Sequence, residues 1–279
     1  MLEKINIFGL AFFTKIYFQT YLKTNIITLF AKEANVKVLL GFIIGIVAVV
    51  VVIILVAGYF GFVPGISNLF GSNKPANLGT TYTAQDYKSA VAKSGVQLIN
   101  NVDTVSLAEN QKTYGPAKAV NVDFTPAEVL AVLNDKTHDP NFPLKDFQLR
   151  VNPDGTAEVA AVLMMDNLDK YSAAHGVNSS SLQQALDTVK KAGIVAKEVP
   201  IYIKGNASVV NGQMSLDADT VKIGRLPISA DTVNSHETDI INYFNNHEKD
   251  VPGFYVKNFA IVGGKVHFDG TLPSSVKAK

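Results

Sequence analysis

The chain has 279 residues, of which 47% are hydrophobic and 18% charged, and its formal net charge is +1. So even a balance offers no basic face of the kind nucleic acid requires, and no nucleic-acid partner is expected. Cysteine and tryptophan are both absent. The first absence excludes disulfides, thiolate metal sites and a cysteine nucleophile, and the second argues against a stacking site for carbohydrate.

Residues 1–37 are rich in Ile, Phe and Tyr, with Lys15 in the middle of the stretch. This pattern is open between an interfacial amphipathic helix, a poor second membrane span and a weakly ordered tail. Residues 38–63, VLLGFIIGIVAVVVVIILVAGYFGFV, carry no charge. As a helix they would extend about 39 Å, against about 30 Å for a hydrocarbon core, so a single transmembrane helix is expected here. Lys4, Lys15, Lys23, Lys32 and Lys37 precede the run, and Lys74 is the first charged residue after it. The positive-inside rule then predicts a cell-membrane protein with a cytoplasmic N-terminal segment, 1–37, and an extracytoplasmic C-terminal domain. Residues 64–82 are rich in Pro, Gly, Ser and Asn and read as a linker.

From 83 to 273 helix starts and hairpins alternate. Thr83 opens TAQDYKSAVAKSG, followed by short strands near 96–100 and 118–124. Thr125-Pro126-Ala127-Glu128 is a capping box with proline at the first helical position, and Val129, Leu130 and Leu133 give its helix an apolar side. A hairpin follows: KDFQLRV, the turn NPDG, then TAEVAAVLM. Ser180 opens a second such helix, with Leu182, Ala185, Leu186 and Val189 as its stripe, and Ser235 a third, with Ile240, Ile241 and Phe244. Thr125, Ser180 and Ser235 are evenly spaced, which suggests repeated helix–hairpin units. Residues 199–224 form the longest hairpin. Val199, Ile201, Ile203, Ala207 and Val209 alternate with polar residues, and Asn211-Gly212 supplies a type I′ turn. A last hairpin turns at Gly263-Gly264, and 274–279 read as a tail. The predicted fold class is α+β: one N-terminal transmembrane helix, then repeated helix–β-hairpin units forming a long twisted antiparallel sheet packed on short helices. The apolar face of the 199–224 hairpin is expected to look inward.

VDFTPAEVLAVLN, KDFQLRVNPDGTAEVAAVL and the ending VKNFAIVGGKVHFDGTLP together resemble segments of small bacterial, membrane-anchored extracytoplasmic proteins. Those are similar to the tubular lipid-binding superfamily, the relatives of bactericidal/permeability-increasing protein, and to AsmA-like envelope proteins. The resemblance covers roughly 83–273 and implies long curved strands wrapped around helices that hold acyl chains. It carries over no ligand-binding residue.

Motifs for chemistry are missing or incomplete. Gly264-Lys265 lacks the rest of a phosphate loop. Ser274-Ser275-Val276-Lys277 matches S-x-x-K without its partner motifs. Asp217 and Asp219, two apart on a strand, read as a solvated face rather than a calcium site, which needs six or more oxygens. Asp135, His138 and Asp139 cluster in a loop, where capping is the ordinary role. His236 and His247, on one helix, are not spaced as a ligand pair. Asn178 and Asn206 match the glycosylation sequon, which matters only in a eukaryotic secretory pathway. No catalytic residue, metal or cofactor is expected. Two non-catalytic functions remain: a membrane-tethered module that binds a lipid or other apolar ligand, or an envelope scaffold with a closed core and a protein partner.

Overall fold

The computed structural model describes residues 36–99, 112–135, 141–174, 196–247 and 251–278. The chain divides into two compact units, Met1–Ile54 and Leu55–Lys279.

The described part of the first unit is the beginning of helix α1 (Val36–Tyr59). Its side chains are described from Ile43 onward, and from there to Ile54 the large apolar residues are all exposed. Among the described residues no helix is long and apolar enough to cross a membrane. This corrects the expected transmembrane helix over 38–63, and with it the single-pass cell-membrane localisation and the orientation derived from the lysines. The helix also stops at Tyr59, because Phe60–Phe62 turn back on it through bonds from Gly61 N to Gly58 O and from Phe62 N to Ala57 O, both 3.0 Å.

The second unit is mostly antiparallel sheet with few, short helices. After α2 (Ile66–Leu69) the segment 70–79 is held by the end of α1 and by two arginines at the sheet. Ser72 Oγ donates to Gly58 O at 2.7 Å, Arg225 donates to Phe70 O at 2.7 Å, and Arg150 Nε donates to Leu78 O at 2.9 Å. Helix α3 (Ala84–Ser94) starts at a capping box of Thr83 with Asp86 and ends at Gly95 in the left-handed region. A three-stranded sheet joins β1 (Gln97–Ile99) and β2 (Lys112–Tyr114) to the final strand, β11 (Ser275–Ala278), which lies in the stretch expected as a tail.

The eight-stranded sheet contains β3 (Ala117–Phe124), β4 (Leu144–Val151), β5 (Ala157–Met164), β6 (Glu198–Val210), β7 (Gln213–Ile223), β8 (Leu226–Ile228), β9 (Tyr255–Val262) and β10 (Lys265–Pro273). Its path runs β3-β10-β9-β6-β5-β4, with β7 on the other edge of β6 and β8 beyond β7. The 13 residues of β6 exceed the usual strand of about five or six. They need two neighbours on one edge: β5 pairs with Glu198–Gly205, and β9 with Val209 and Val210. The Asn211-Gly212 turn forms as expected, with φ of 52° and 72°.

Helix α4 (Pro126–Leu133) follows β3, α5 (Met165–Ala174) follows β5, and α6 (Ala230–His247) follows β8. The even spacing of helix starts does not survive. Thr125 caps α4 as expected, but the Ser180 helix lies outside the described residues, and α6 begins five residues before Ser235. Ser229 opens it, its hydroxyl receiving the Thr232 amide at 3.3 Å, while Ser235 Oγ bonds back to Thr232 O inside the helix. The repeated helix–hairpin reading is corrected accordingly.

The core lies where α4 packs on β4 and β5. Leu130, Phe147, Leu149 and Ala161 are its buried centre, and Ile201 packs at its margin. Asn134, the C-cap of α4, locks the helix to a bulge in β4. Its amide accepts from Phe147 N at 2.9 Å and donates to Phe147 O at 3.0 Å, as a neighbouring strand would.

Candidate ligand cavity

The inner face of the sheet is built from residues that sit opposite one another across the ladders. Leu149 faces Val159, Val159 faces Ile203, Ala207 faces Leu216, Phe259 faces Phe268, and Ile261 faces Val266. Directly opposed residues share a face, so this surface is apolar across six strands. On β7 the alternation changes phase. Met214, Leu216 and Ala218 face it below a bulge, and Val221 and Ile223 above it, because Lys204 pairs with Thr220 while Gly205 pairs with Ala218. Asp219 is the extra residue. Gly205 makes the bulge feasible, since a Cβ there would collide with the Asp217 carbonyl oxygen.

Helices α3 and α4 cover part of this face and leave a partly open cavity of about 510 Å³. Ala90, Val129, Val132 and Leu133 line it from the helix side, and Ile203, Leu216, Phe259 and Phe268 from the sheet. Small residues make the room: Ala157, Gly205, Ala207 and Ala218 lie along its floor. Val132 is 41% exposed and Ile203 38%, so the apolar surface is not sealed by the protein itself. The volume lies within the usual range of small-molecule sites, about 300–1,000 Å³.

Among the described residues of the lining the one charged side chain is Glu128, 4% exposed. Burial opposes its charge. Hydrogen bonds from Lys93 at 2.7 Å, Ser89 at 2.5 Å and the Thr125 amide at 2.8 Å, together with the lysine's charge, outweigh burial and hold the carboxyl at about 2. Glu128 therefore serves twice, closing the capping box of α4 and tying α4 to α3. With its oxygens so engaged, it is a structural brace at the cavity edge rather than a free acid or base.

The outer face of the same strands is polar. Tyr202 donates to Glu158 at 2.9 Å, and Arg150 pairs with Glu158 at 3.4 Å. Burial opposes the Glu158 charge, but the bonds from Tyr202 and Asn152 and the nearby Arg150 lower its carboxyl pKa. Burial and the adjacent carboxylate raise the Tyr202 phenol.

The residues singled out in the sequence do not converge here. Asp217 and Asp219 are exposed on β7, on either side of a phase change that removes them from one simple face. Asp135 follows α4, whereas His138, Asp139 and Asn178 lie outside the described residues. His236 and His247 belong to α6. Ser274 and Lys277 lie at β11, away from any such constellation, and Lys277 pairs with Ile99 and Thr113. Asn206 is on β6 and contributes to the cavity lining. Among the described residues no group of three or more His, Asp or Glu could hold a metal ion. The small residues on the cavity floor were legible in the sequence as letters, but their meaning depends on the bulge that brings them into one plane.

No protein-family model, curated protein or solved structure matches this chain.

Proposed function

We propose that the unit Leu55–Lys279 is a non-catalytic binding module for a lipid or another elongated apolar ligand, seated between the sheet and helices α3 and α4. The observation that supports this reading is the cavity of about 510 Å³, whose described lining residues are apolar except for the braced Glu128 and Asn206. Leaving side chains such as Ile203 and Val132 partly in water forgoes part of the roughly 1.5–3 kcal/mol that full burial of each would contribute. A bound acyl chain would recover it. A scaffold with a closed core, the other expectation, would need helices that cover the sheet completely.

The test is native mass spectrometry of the full-length chain after mild extraction, together with displacement of a long-chain fluorescent fatty acid. Ala207→Phe places a ring on the cavity floor opposite Leu216. It is expected to keep the thermal transition of the parent and to lose fatty-acid binding. Parent protein that carries no co-purifying lipid and does not bind the probe overturns the proposal, as does full binding by a folded Ala207→Phe variant.

A further inference from the structure

A second cleft, of about 540 Å³, lies between the segment 71–76 and the base of the β6–β7 hairpin, where Pro200, Tyr202, Lys222 and Gly224 form one wall. Among the described residues three cations line it, Lys74, Lys222 and Arg225, and no acidic residue does. In a chain whose net charge is +1, this is a local concentration of positive charge. Lys74 and Lys222 form no ion pair with any described residue. Lys222 Nζ sits 5.1 Å from the centre of the Tyr202 ring, which orients the ammonium without neutralising it. Arg225 is held more firmly, stacked 4.5 Å over Tyr59 and donating one nitrogen to Phe70 O. Glu158, the acid bonded to Tyr202 on the outer face, is also engaged by Asn152 and Arg150.

The walls are pinned. The buried Ser72 hydroxyl holds one end of the segment, and Arg150, bonded to Leu78 O, holds the other. Gly224 N bonds to Pro200 O at 2.6 Å and closes the hairpin base. Pinned walls hold the cations together despite their mutual repulsion, and a concave site focuses their field on whatever enters.

We propose that this cleft binds a multiply charged oxyanion of the phosphate monoester class, with Lys74 and Lys222 as its main ligands and Arg225 as a fixed positive wall. Charge-assisted bonds to phosphate oxygens are the strongest contacts that these side chains make. The site stands on different residues from the apolar cavity and does not depend on the function proposed for it. Free phosphate esters and phosphorylated lipid headgroups share the required chemistry.

The experiment is calorimetric titration of the full-length chain, with a non-ionic detergent covering the exposed side chains of α1. Inorganic phosphate is one titrant, and a soluble short-chain phosphatidate the other. Saturable phosphate binding is expected, weakened by about tenfold or more in Lys74→Gln/Lys222→Gln and by added salt, with the melting temperature unchanged. Equal affinity for both titrants assigns the site to free phosphate compounds. Phosphatidate binding at least about tenfold tighter, and equally sensitive to the double substitution, assigns it to a headgroup. Absence of phosphate binding well above the millimolar range, or an affinity that the double substitution leaves unchanged, overturns the proposal.

Discussion

Val199 and Ile203 lie on the same strand and the same face, four residues apart, yet one is 1% exposed and the other 38%. The difference lies in what faces them. Around Val199 the sheet meets Leu163 of β5 and the packed end of the domain, where Ala161 and Val162 are also buried. Around Ile203 the floor turns to Gly205, Ala207 and Ala218, and the helices do not reach down to fill it. A continuous apolar stripe therefore does two jobs. At one end it is core, and at the other it is the wall of a container.

Charge introduced along the stripe separates the two ends most clearly. Val199→Asp buries an unpaired carboxylate and should cost several kcal/mol, enough to unfold a domain of ordinary stability. Ile203→Asp, beside a partly open cavity, should cost less than about 1.5 kcal/mol and abolish fatty-acid binding. Thermal melts of the two variants check this. Equal melting temperatures would erase the distinction between core and container.

Acid should loosen the helix side of the container next. Glu128 is held at about 2 in the folded chain, below its ordinary 4.5. Its contribution is thus fully present above about pH 4.5 and is lost as the pH falls toward 2. For this buried carboxylate the shift corresponds to about 3 kcal/mol. Asp154 and Glu158 also have lowered carboxyls. Only the acid-dependent loss that disappears in Glu128→Gln belongs to the brace, and urea unfolding of both proteins between pH 2 and 6 measures it. An unchanged pH profile in the variant would show that the brace contributes nothing.

The smallest expected effect sharpens the boundary between the ends. Gly205→Ala pushes a methyl into the Asp217 carbonyl and should cost about 1–3 kcal/mol. The same substitution at Gly263, where an added Cβ meets no atom, should be limited to the strain of a φ of 55°. Chemical denaturation of both variants checks the order.

Much of this fold was readable locally. The helix start at Thr83, the capping box at Thr125 and the Asn211-Gly212 turn are short-range signals, and each forms where the residues place it. The long-range features were not readable. Nothing in the string states that β6 divides one edge between β5 and β9, or that its C-terminal tip meets Asn258 and Phe259. The start of α6 was misplaced because Ser229 caps it without the acidic partner that a capping box displays. The cavity was anticipated only as a question about one hairpin face. Its answer depends on alanines and a glycine whose smallness matters only once six strands are brought together.

The bulge at Asp219 acts on β7 as a frameshift acts on a gene. Below it, even-numbered residues lie on the inner face of the sheet, and above it odd-numbered ones do. Were Asp219 kept but paired with Lys204 as an ordinary strand residue, Met214–Ala218 would stay seated while Val221 and Ile223 turned outward and polar Lys222 came to the inner surface. Deleting Asp219, by contrast, would make Ala218 and Thr220 consecutive partners of Gly205 and Lys204 and leave both halves facing as they do, so what the aspartate itself adds is the local bend of the strand.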